Sequence, residues 1–206
     1  MSAARRLFLI RHGETVGESS IRFHGATDVA LSDLGRAQVR AVAEEVAGTR
    51  FVASIQSPMS RARESAEIVL AQLGERPTHI EEDVDLREID FGRFEGMTDA
   101  EIKADSPEWH ADWKAGAVAG YPDGDDIARF RERCAAAVRR FVVRHPEGDL
   151  LFIAHKGVIN AAIHGLCGLP YAELGAEPMD LGSLWVLREG DPWTLEVRNL
   201  TGSLEG

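Results

Sequence analysis

The chain predicts an α/β fold: a three-layer α/β/α sandwich with a mostly parallel central sheet and a small cap segment. Three observations carry this. The runs Leu7-Phe8-Leu9-Ile10 and Leu150-Leu151-Phe152-Ile153-Ala154 are continuously apolar, as strands are when both faces of a sheet are covered. Segments with helical spacing of apolar residues separate the strand-like runs, and alternating strands and helices fold into layered α/β structures. Both apolar runs end abruptly in basic or imidazole side chains, Arg11-His12 and His155-Lys156. In open α/β sheets that carboxyl end of the strands is where ligands bind.

The elements follow in order. Residues 7–11 form a central strand. Ser32 caps a helix running to about Ala47, with Leu34, Val39, Val42 and Val46 as its apolar stripe and Gly48 ending it. Phe51–Ile55 is a second strand, and Ser57-Pro58 opens a helix to about Leu73, with Pro58 near its first turn. Residues 78–80 form a short strand, and 86–96 a loop with two glycines. Residues 97–123 lack a regular pattern and are assigned to the cap. From Asp125 to His145, Ile127, Phe130, Cys134, Val138 and Phe141 recur at helical steps. A strand at 150–154, a helix from Gly157 to Cys167, and an antiparallel hairpin of 184–187 with 193–197 complete the fold, with a frayed tail at 201–206.

Composition narrows the function classes. The 206 residues suit a single domain, 1–206. A net charge of −11 argues against nucleic-acid binding, which needs a basic face. A few arginines in a cleft still attract a small anion locally. Cys134 and Cys167 lie far apart and read as small buried hydrophobes, without a disulfide framework or a zinc site. The apolar run after Arg5-Arg6 is too short for a signal-peptide core, and none approaches the ~20 residues of a membrane span. A cytoplasmic protein without membrane partners is expected.

Four stretches carry chemistry: Arg11-His12-Gly13-Glu14-Thr15 after the first strand, Ser57-Pro58-Met59-Ser60-Arg61-Ala62 opening a helix, Leu86-Arg87-Glu88 before the glycine-marked loop through Gly96, and Ala154-His155-Lys156-Gly157 after the later strand. In this order they resemble the histidine phosphatase superfamily, also called the phosphoglycerate mutase-like family, over about residues 7–167. The resemblance implies that His12 is a nucleophile forming a phosphohistidine. It implies that Arg11 and Arg61 bind phosphoryl oxygens, that His155 adds a donor, and that Glu88 protonates the leaving oxygen and later takes a proton from water.

Chemistry gives the same residue types independent reasons. Guanidinium forks match phosphoryl oxygens, in-line displacement separates attacker from acid, and an alkoxide leaves poorly without a proton. His12 has to be neutral to attack, and neighbouring arginines favour that form. His155 is expected to be cationic, or at least to donate. No metal or other cofactor is required, because the arginines and His155 neutralise the phosphate.

Other positions are read more coarsely. Thr15 is expected to donate to the phosphate loop and, with Arg22, His24, Gly25 and Lys156, to form the substrate-binding set. Glu18 stands where the family usually has asparagine; it is expected to turn away, with Ser19 or Ser20 taking its place, the alternative being that it binds a cationic part of the substrate. Glu95 is expected to brace its loop rather than to catalyse. Arg63 is expected to be solvent-exposed or ion-paired, and Arg87 to pair with Glu88 or else to reach the substrate. Trp109 and Trp113 are expected to pack the cap onto the body, Arg129, Arg131 and Arg133 to form a solvated helix face, and His79, His110, His145 and His164 to play no catalytic part.

Glu88 and His155 are only 67 residues apart. Cofactor-dependent mutases of the family carry a longer insertion there, so the layout resembles its small phosphatases, α-ribazole phosphatase-like and broad-specificity members among them. The expected function is a metal-independent phosphomonoesterase acting on small phosphorylated metabolites. A phosphoglycerate mutase is the alternative within the family. A phosphate-binding or protein-regulatory module with weak turnover is the alternative outside it. The C-terminal hairpin offers an edge for a dimer or for a cap.

Overall fold

The computed structural model describes residues 4–204. A six-stranded sheet runs in the order β3-β2-β4-β1-β5-β6. Its strands are β1 (Arg6–Arg11), β2 (Phe51–Gln56), β3 (His79–Glu82), β4 (Asp149–Ala154), β5 (Ser183–Arg188) and β6 (Thr194–Thr201). β1, β2, β3 and β4 pair parallel, while β5 and β6 add an antiparallel edge. The mostly parallel sheet and closing hairpin agree with the sequence. β6 runs on to Thr201, which corrects the start of the expected frayed tail, and residues 205–206 of that tail lie outside the described residues.

The continuous apolar runs have the expected cause. Along β1, Leu7 and Leu9 point to one cluster and Phe8 and Ile10 to the other; along β4, Leu150 and Phe152 oppose Leu151 and Ile153. Strand side chains alternate between faces, and here each face has its own helices. Helices α1 (Asp33–Glu44) and α2 (Ser60–Gln72) contribute Val39, Val42, Val69 and Leu70 to one cluster. Helices α5 (Ile127–Arg144) and α6 (Lys156–Cys167) contribute Phe130, Cys134, Val138, Phe141, Val158 and Ile163 to the other.

Several local expectations are met and several corrected. Ser32 caps α1 by accepting from the Gly35 N–H. Val39, Val42 and Val46 are buried, but Leu34 is 52% exposed and does not belong to the stripe. Helix α2 starts later than expected: Met59 is its N-cap, so Pro58 precedes the helix. The cap is Asp28 from a distant loop, which accepts from the backbone N–H of Ser60 at 2.8 Å and from its hydroxyl at 2.7 Å. Cys134 is buried, whereas Cys167 is only half-buried.

The segment without an evident pattern is largely helical. Helix α3 (Asp99–Asp105) carries a capping box between Thr98 and Glu101, and α4 (Pro107–Lys114) has proline in its first turn. Both are starting signals for short helices. Trp109 stacks on Trp113 with centroids 6.0 Å apart and packs on Phe94 and Tyr121, and Trp113 meets Phe23. The tryptophans therefore pack these helices onto the body, as expected. A last short helix, α7 (Tyr171–Ala176), was not anticipated.

Helix α1 is held against the loop after β1 by two glycines. A Cβ on Gly13 would lie 2.2 Å from the Gly35 carbonyl oxygen, and one on Gly35 only 1.9 Å from that of Glu14. Glycine to alanine inside a helix ordinarily stabilises by ~1 kcal/mol. Here the sign reverses: Gly35→Ala should lower the unfolding free energy by ~2 kcal/mol or more, a loss typical of core overpacking. Urea denaturation of the variant checks this, and a stability gain would show that the two backbones can separate cheaply.

Candidate active site

β1 and β4 are neighbours and parallel, with Arg11 opposite Ala154. The residues that follow, His12 and His155, therefore emerge side by side. The His12 backbone N–H donates to the Ala154 carbonyl at 3.0 Å. The two imidazoles meet edge to face with centroids 5.1 Å apart.

His12 is prepared as a nucleophile. Its Nδ1 lies 2.7 Å from the Gly13 carbonyl oxygen. A carbonyl can only accept, so Nδ1 carries the proton and the lone pair is on Nε2. Burial, then the Arg61 and Arg11 charges, push the imidazole well below its ordinary pKa. The ring is neutral at physiological pH.

Arg11 supplies positive charge beside it. Its Nη1 donates to the Met179 carbonyl, and its buried Nε has no hydrogen-bond partner. Burial lowers its pKa to about 10, opposed by Glu88, Glu14 and Asp180, so it remains a cation. Arg11, His12, Glu88 and Lys156 share a cavity of about 270 Å³ with Ser19, Ser20, Ile21, Arg22, Phe23, His24 and Phe91.

Arg61 and His155 stand behind this cavity and do not line it. Arg61 is fully buried and crosslinks the loop 24–27. It donates to the carbonyls of His24 at 3.0 Å, Gly25 at 2.9 Å and Thr27 at 2.9 Å, and through Nε to His155 Nδ1 at 3.3 Å. One Nη1 hydrogen is left over. Because His155 Nδ1 accepts, its proton sits on Nε2, 2.8 Å from the Ser57 hydroxyl. Burial, then Arg61, His12 and Arg11, hold His155 well below its ordinary pKa. Of the two expected forms of His155, cationic or at least donating, a buried site already holding two arginines favours the neutral, donating one.

Glu88 also lines the cavity. Oε1 accepts from the Ile89 N–H and Oε2 from the Gly157 N–H, both at 3.0 Å. The second bond satisfies a free N–H in the first turn of α6, the ordinary role of a helix-capping carboxylate. A Cβ on Gly157 would lie 2.4 Å from Glu88 Oε1, so the glycine leaves room for the carboxylate. Arg87 is exposed, and among the described residues no ion pair joins it to Glu88.

The secondary positions divide. Lys156, Arg22 and His24 line the cavity. Arg22 is tied to Glu101, Glu18 and the Gly96 carbonyl, and His24 Nε2 approaches the Gly17 carbonyl at 2.6 Å. Two assignments are corrected. Thr15 is buried, with its hydroxyl on that of Ser19, and does not line the cavity. Gly25 is needed for close packing, since a Cβ there would sit 1.7 Å from the Ile89 carbonyl oxygen. Glu18 does turn away, on a left-handed backbone with φ 60°, and pairs with Arg22, while Ser19 and Ser20 face the cavity.

Glu95 braces its loop as expected: its carboxylate accepts from the N–H groups of Gly25, Ala26, Thr27 and Phe91. Arg63 pairs with Glu82. Of the supposedly solvated arginines, Arg133 instead donates to the carbonyls of Asp85 and Arg87, and Arg131 lies over Tyr171. His79, His110, His145 and His164 lie outside the cavity. Ser57, Glu14 and Asp28 were missed. Glu14 accepts from the Thr15 and Ser20 N–H groups and shapes the loop bearing Ser19 and Ser20. Among the described residues no group of three or more His, Cys, Asp or Glu could hold a metal ion.

The chain belongs to the histidine phosphatase superfamily (branch 1), whose profile matches residues 7–201. It is 32% identical over 178 residues to a glucosyl-3-phosphoglycerate phosphatase of Mycobacterium tuberculosis, covering 82% of this chain and 78% of that protein. An acid phosphatase of the same species is 31% identical over 96% of this chain and 93% of its own length. The structure of a mycobacterial glucosyl-3-phosphoglycerate phosphatase complexed with VO3 superposes with a TM-score of 0.83 at 30% identity, covering 95% of this chain and 99% of that one. These relatives are phosphatases. No helix among the described residues is long and apolar enough to cross a membrane.

The two neutral histidines make stability pH-dependent. Their folded pKa values lie below the unfolded value of ~6.5. Below that pH the unfolded chain binds more protons than the native one, so stability falls with acidification. The urea midpoint of the wild type should decline from about pH 6.5 downward. His155→Gln should decline less steeply, by up to ~1.4 kcal/mol per pH unit. Parallel pH profiles for the two proteins would contradict a neutral His155.

Proposed function

We propose that this protein is a metal-independent phosphomonoesterase that hydrolyses small phosphorylated metabolites through a phosphohistidine on His12. The observation that carries the reading is the neutral His12, protonated on Nδ1 so that its lone pair is on Nε2, lining one cavity with Arg11, whose buried Nε has no hydrogen-bond partner. A nucleophile of this kind next to a buried cation suits attack on an anionic phosphorus centre. The relatives described above support it.

The steps balance as follows. The phosphoryl group is held by Arg11, by the remaining Nη1 hydrogen of Arg61 and by the hydroxyls of Ser19 and Ser20. His12 Nε2 forms a bond to phosphorus while the ester P–O bond breaks, and protonated Glu88 gives its proton to the leaving oxygen. Charge on the ring after transfer is shared through Nδ1–H with the Gly13 carbonyl. Water then attacks phosphorus, Glu88 takes its proton, and the P–N bond breaks to release phosphate. His155 contributes Nε2–H when the bound anion draws it from Ser57. The charge-neutralising work falls to these cationic and polar donors, which is the physical reason for expecting no metal.

The first test is phosphate release from a panel of small phosphomonoesters in EDTA. Wild-type protein should turn them over, and His12→Ala should lose turnover together with an acid-labile phosphorylated intermediate. Activity that vanishes in EDTA and returns with a divalent ion would overturn the metal-free route. Interconversion of 2- and 3-phosphoglycerate without phosphate release would make the protein a mutase.

Gly157→Ala should displace the Glu88 carboxyl. General acid catalysis contributes ~10²–10⁴-fold, so kcat for alkyl phosphates should fall by about tenfold or more. For a nitrophenyl ester, whose leaving group needs little protonation, the fall should be much smaller. Equal losses on both substrates would mean that the glycine matters for packing alone.

A further inference from the structure

Glu88 moves the protons of the proposed reaction, yet among the described residues its carboxyl hydrogen-bonds to backbone alone, the Ile89 and Gly157 N–H groups. No side chain holds it. Its place in the cavity is therefore set by where its own backbone lies.

Helix α5 contributes no residue to the cavity wall, but it and the residue leading into it fix that backbone on both sides of Glu88. Before Glu88, Arg133 Nη1 donates to the Asp85 carbonyl at 2.6 Å and to the Arg87 carbonyl at 3.2 Å. Nη1 carries two hydrogens, one for each. After Glu88, the Asp125 carboxylate accepts from the Asp90 N–H at 3.0 Å, and the Asp125 N–H donates to the Asp90 carbonyl at 2.9 Å. The two grips are joined, since Arg133 Nη2 lies 3.7 Å from the same Asp125 oxygen that meets Asp90.

An ordinary surface arginine behaves differently. Arg140, about two turns further along α5, pairs with the side chains of Asp83 and Asp85. Carboxylate side chains can swing with their partner; carbonyls cannot, so a bond to them fixes the main chain. Helix α5 also backs the other half of the Glu88 contact, because a Cβ on Gly157 would lie 3.1 Å from the Phe130 ring. Misplacing a catalytic group by about 1 Å can cost about 10²-fold.

We infer that Arg133 is a positioning residue for Glu88: by holding the Asp85 and Arg87 carbonyls, and with Asp125 the Asp90 N–H, it sets the carboxyl where it can protonate the leaving oxygen. The inference rests on the phosphatase reading. Arg133 itself does not line the cavity and acts only through the main chain.

Two measurements on the full-length protein test it. The first needs no turnover. The Gly157 amide proton is bonded to Glu88 Oε2, so its NMR shift follows protonation of that carboxyl, and Glu88→Gln identifies this part of its pH response. The response should be clear in the wild type, much reduced in Arg133→Met and largely kept in Arg133→Lys, whose ammonium still reaches a carbonyl. The second is the dependence of kcat on the leaving group. Arg133→Met should lose about tenfold or more on an alkyl phosphate but less than about threefold on a nitrophenyl ester, whose leaving oxygen needs little protonation. Arg133→Lys should recover at least part of the alkyl rate. Arg140→Met, which removes ion pairs between the same two segments, should show no such split. Arg133→Gln, too short to bridge both carbonyls, should behave like the methionine variant and serves if that one does not fold.

Equal losses on the two esters would make Arg133 a packing residue and overturn the inference. So would the same split in Arg140→Met, or a Gly157 response that is absent in the wild type or unchanged in Arg133→Met. Wild-type protein inactive on every ester would instead reject the phosphatase reading, while the Gly157 response still reports whether Arg133 places Glu88.

Discussion

His12 and His155 stand side by side because two central strands of the same direction pair in one register, from Leu7 opposite Leu150 to Arg11 opposite Ala154. That pairing depends on both faces of each strand being buried. A slip of one residue would send Leu7 and Leu9 to the cluster that holds Phe8 and Ile10, and would misplace every side chain along the strand. The geometry of the reactive pair is therefore enforced by the whole hydrophobic core, and no loop has to hold it.

Around that pair the protein relies on backbone-directed polar contacts. The loop 24–27 is gripped from two sides, with Glu95 accepting its N–H groups and Arg61 donating to its carbonyls. Glu14 does the same for the Thr15 and Ser20 N–H groups. Each arrangement takes a loop that would otherwise be mobile and fixes it by charge-assisted hydrogen bonds, which are about twice as strong as neutral ones. Small hydroxyl-bearing residues such as Ser19 and Ser20 can then be positioned precisely enough to meet an anion.

How much of this is legible in the sequence depends on the range of the interaction. The strands, the cap at Ser32, the turning away of Glu18 and the bracing role of Glu95 follow from neighbours in sequence or from the motif. Helices α3 and α4 were legible in principle, since Thr98 with Glu101 forms a capping box and Pro107 opens a first turn. What local pattern cannot carry is which long-range partner a polar side chain meets. Nothing near Arg61 announces that it holds three carbonyls from another loop and a histidine 94 residues away. Nor does anything near His155 announce that an arginine takes its Nδ1 and leaves it neutral.

Arg61 and Arg11 have a shared peculiarity: their direct hydrogen-bond partners are carbonyl oxygens and an imidazole, not carboxylates. Carbonyls satisfy the N–H groups without an ion pair, and both guanidinium pKa values are pushed down by burial, opposed by carboxylates that do not bond to them directly, Glu88 first among them. The protein thus holds two cations in a poorly solvated place without a directly bonded carboxylate, and gives up folding free energy to do so. An oxyanion entering the site supplies a directly bonded counter-charge, so part of its affinity is stability withheld from the fold alone. Folding and recognition here share one electrostatic reservoir, drawn down by whichever anion arrives.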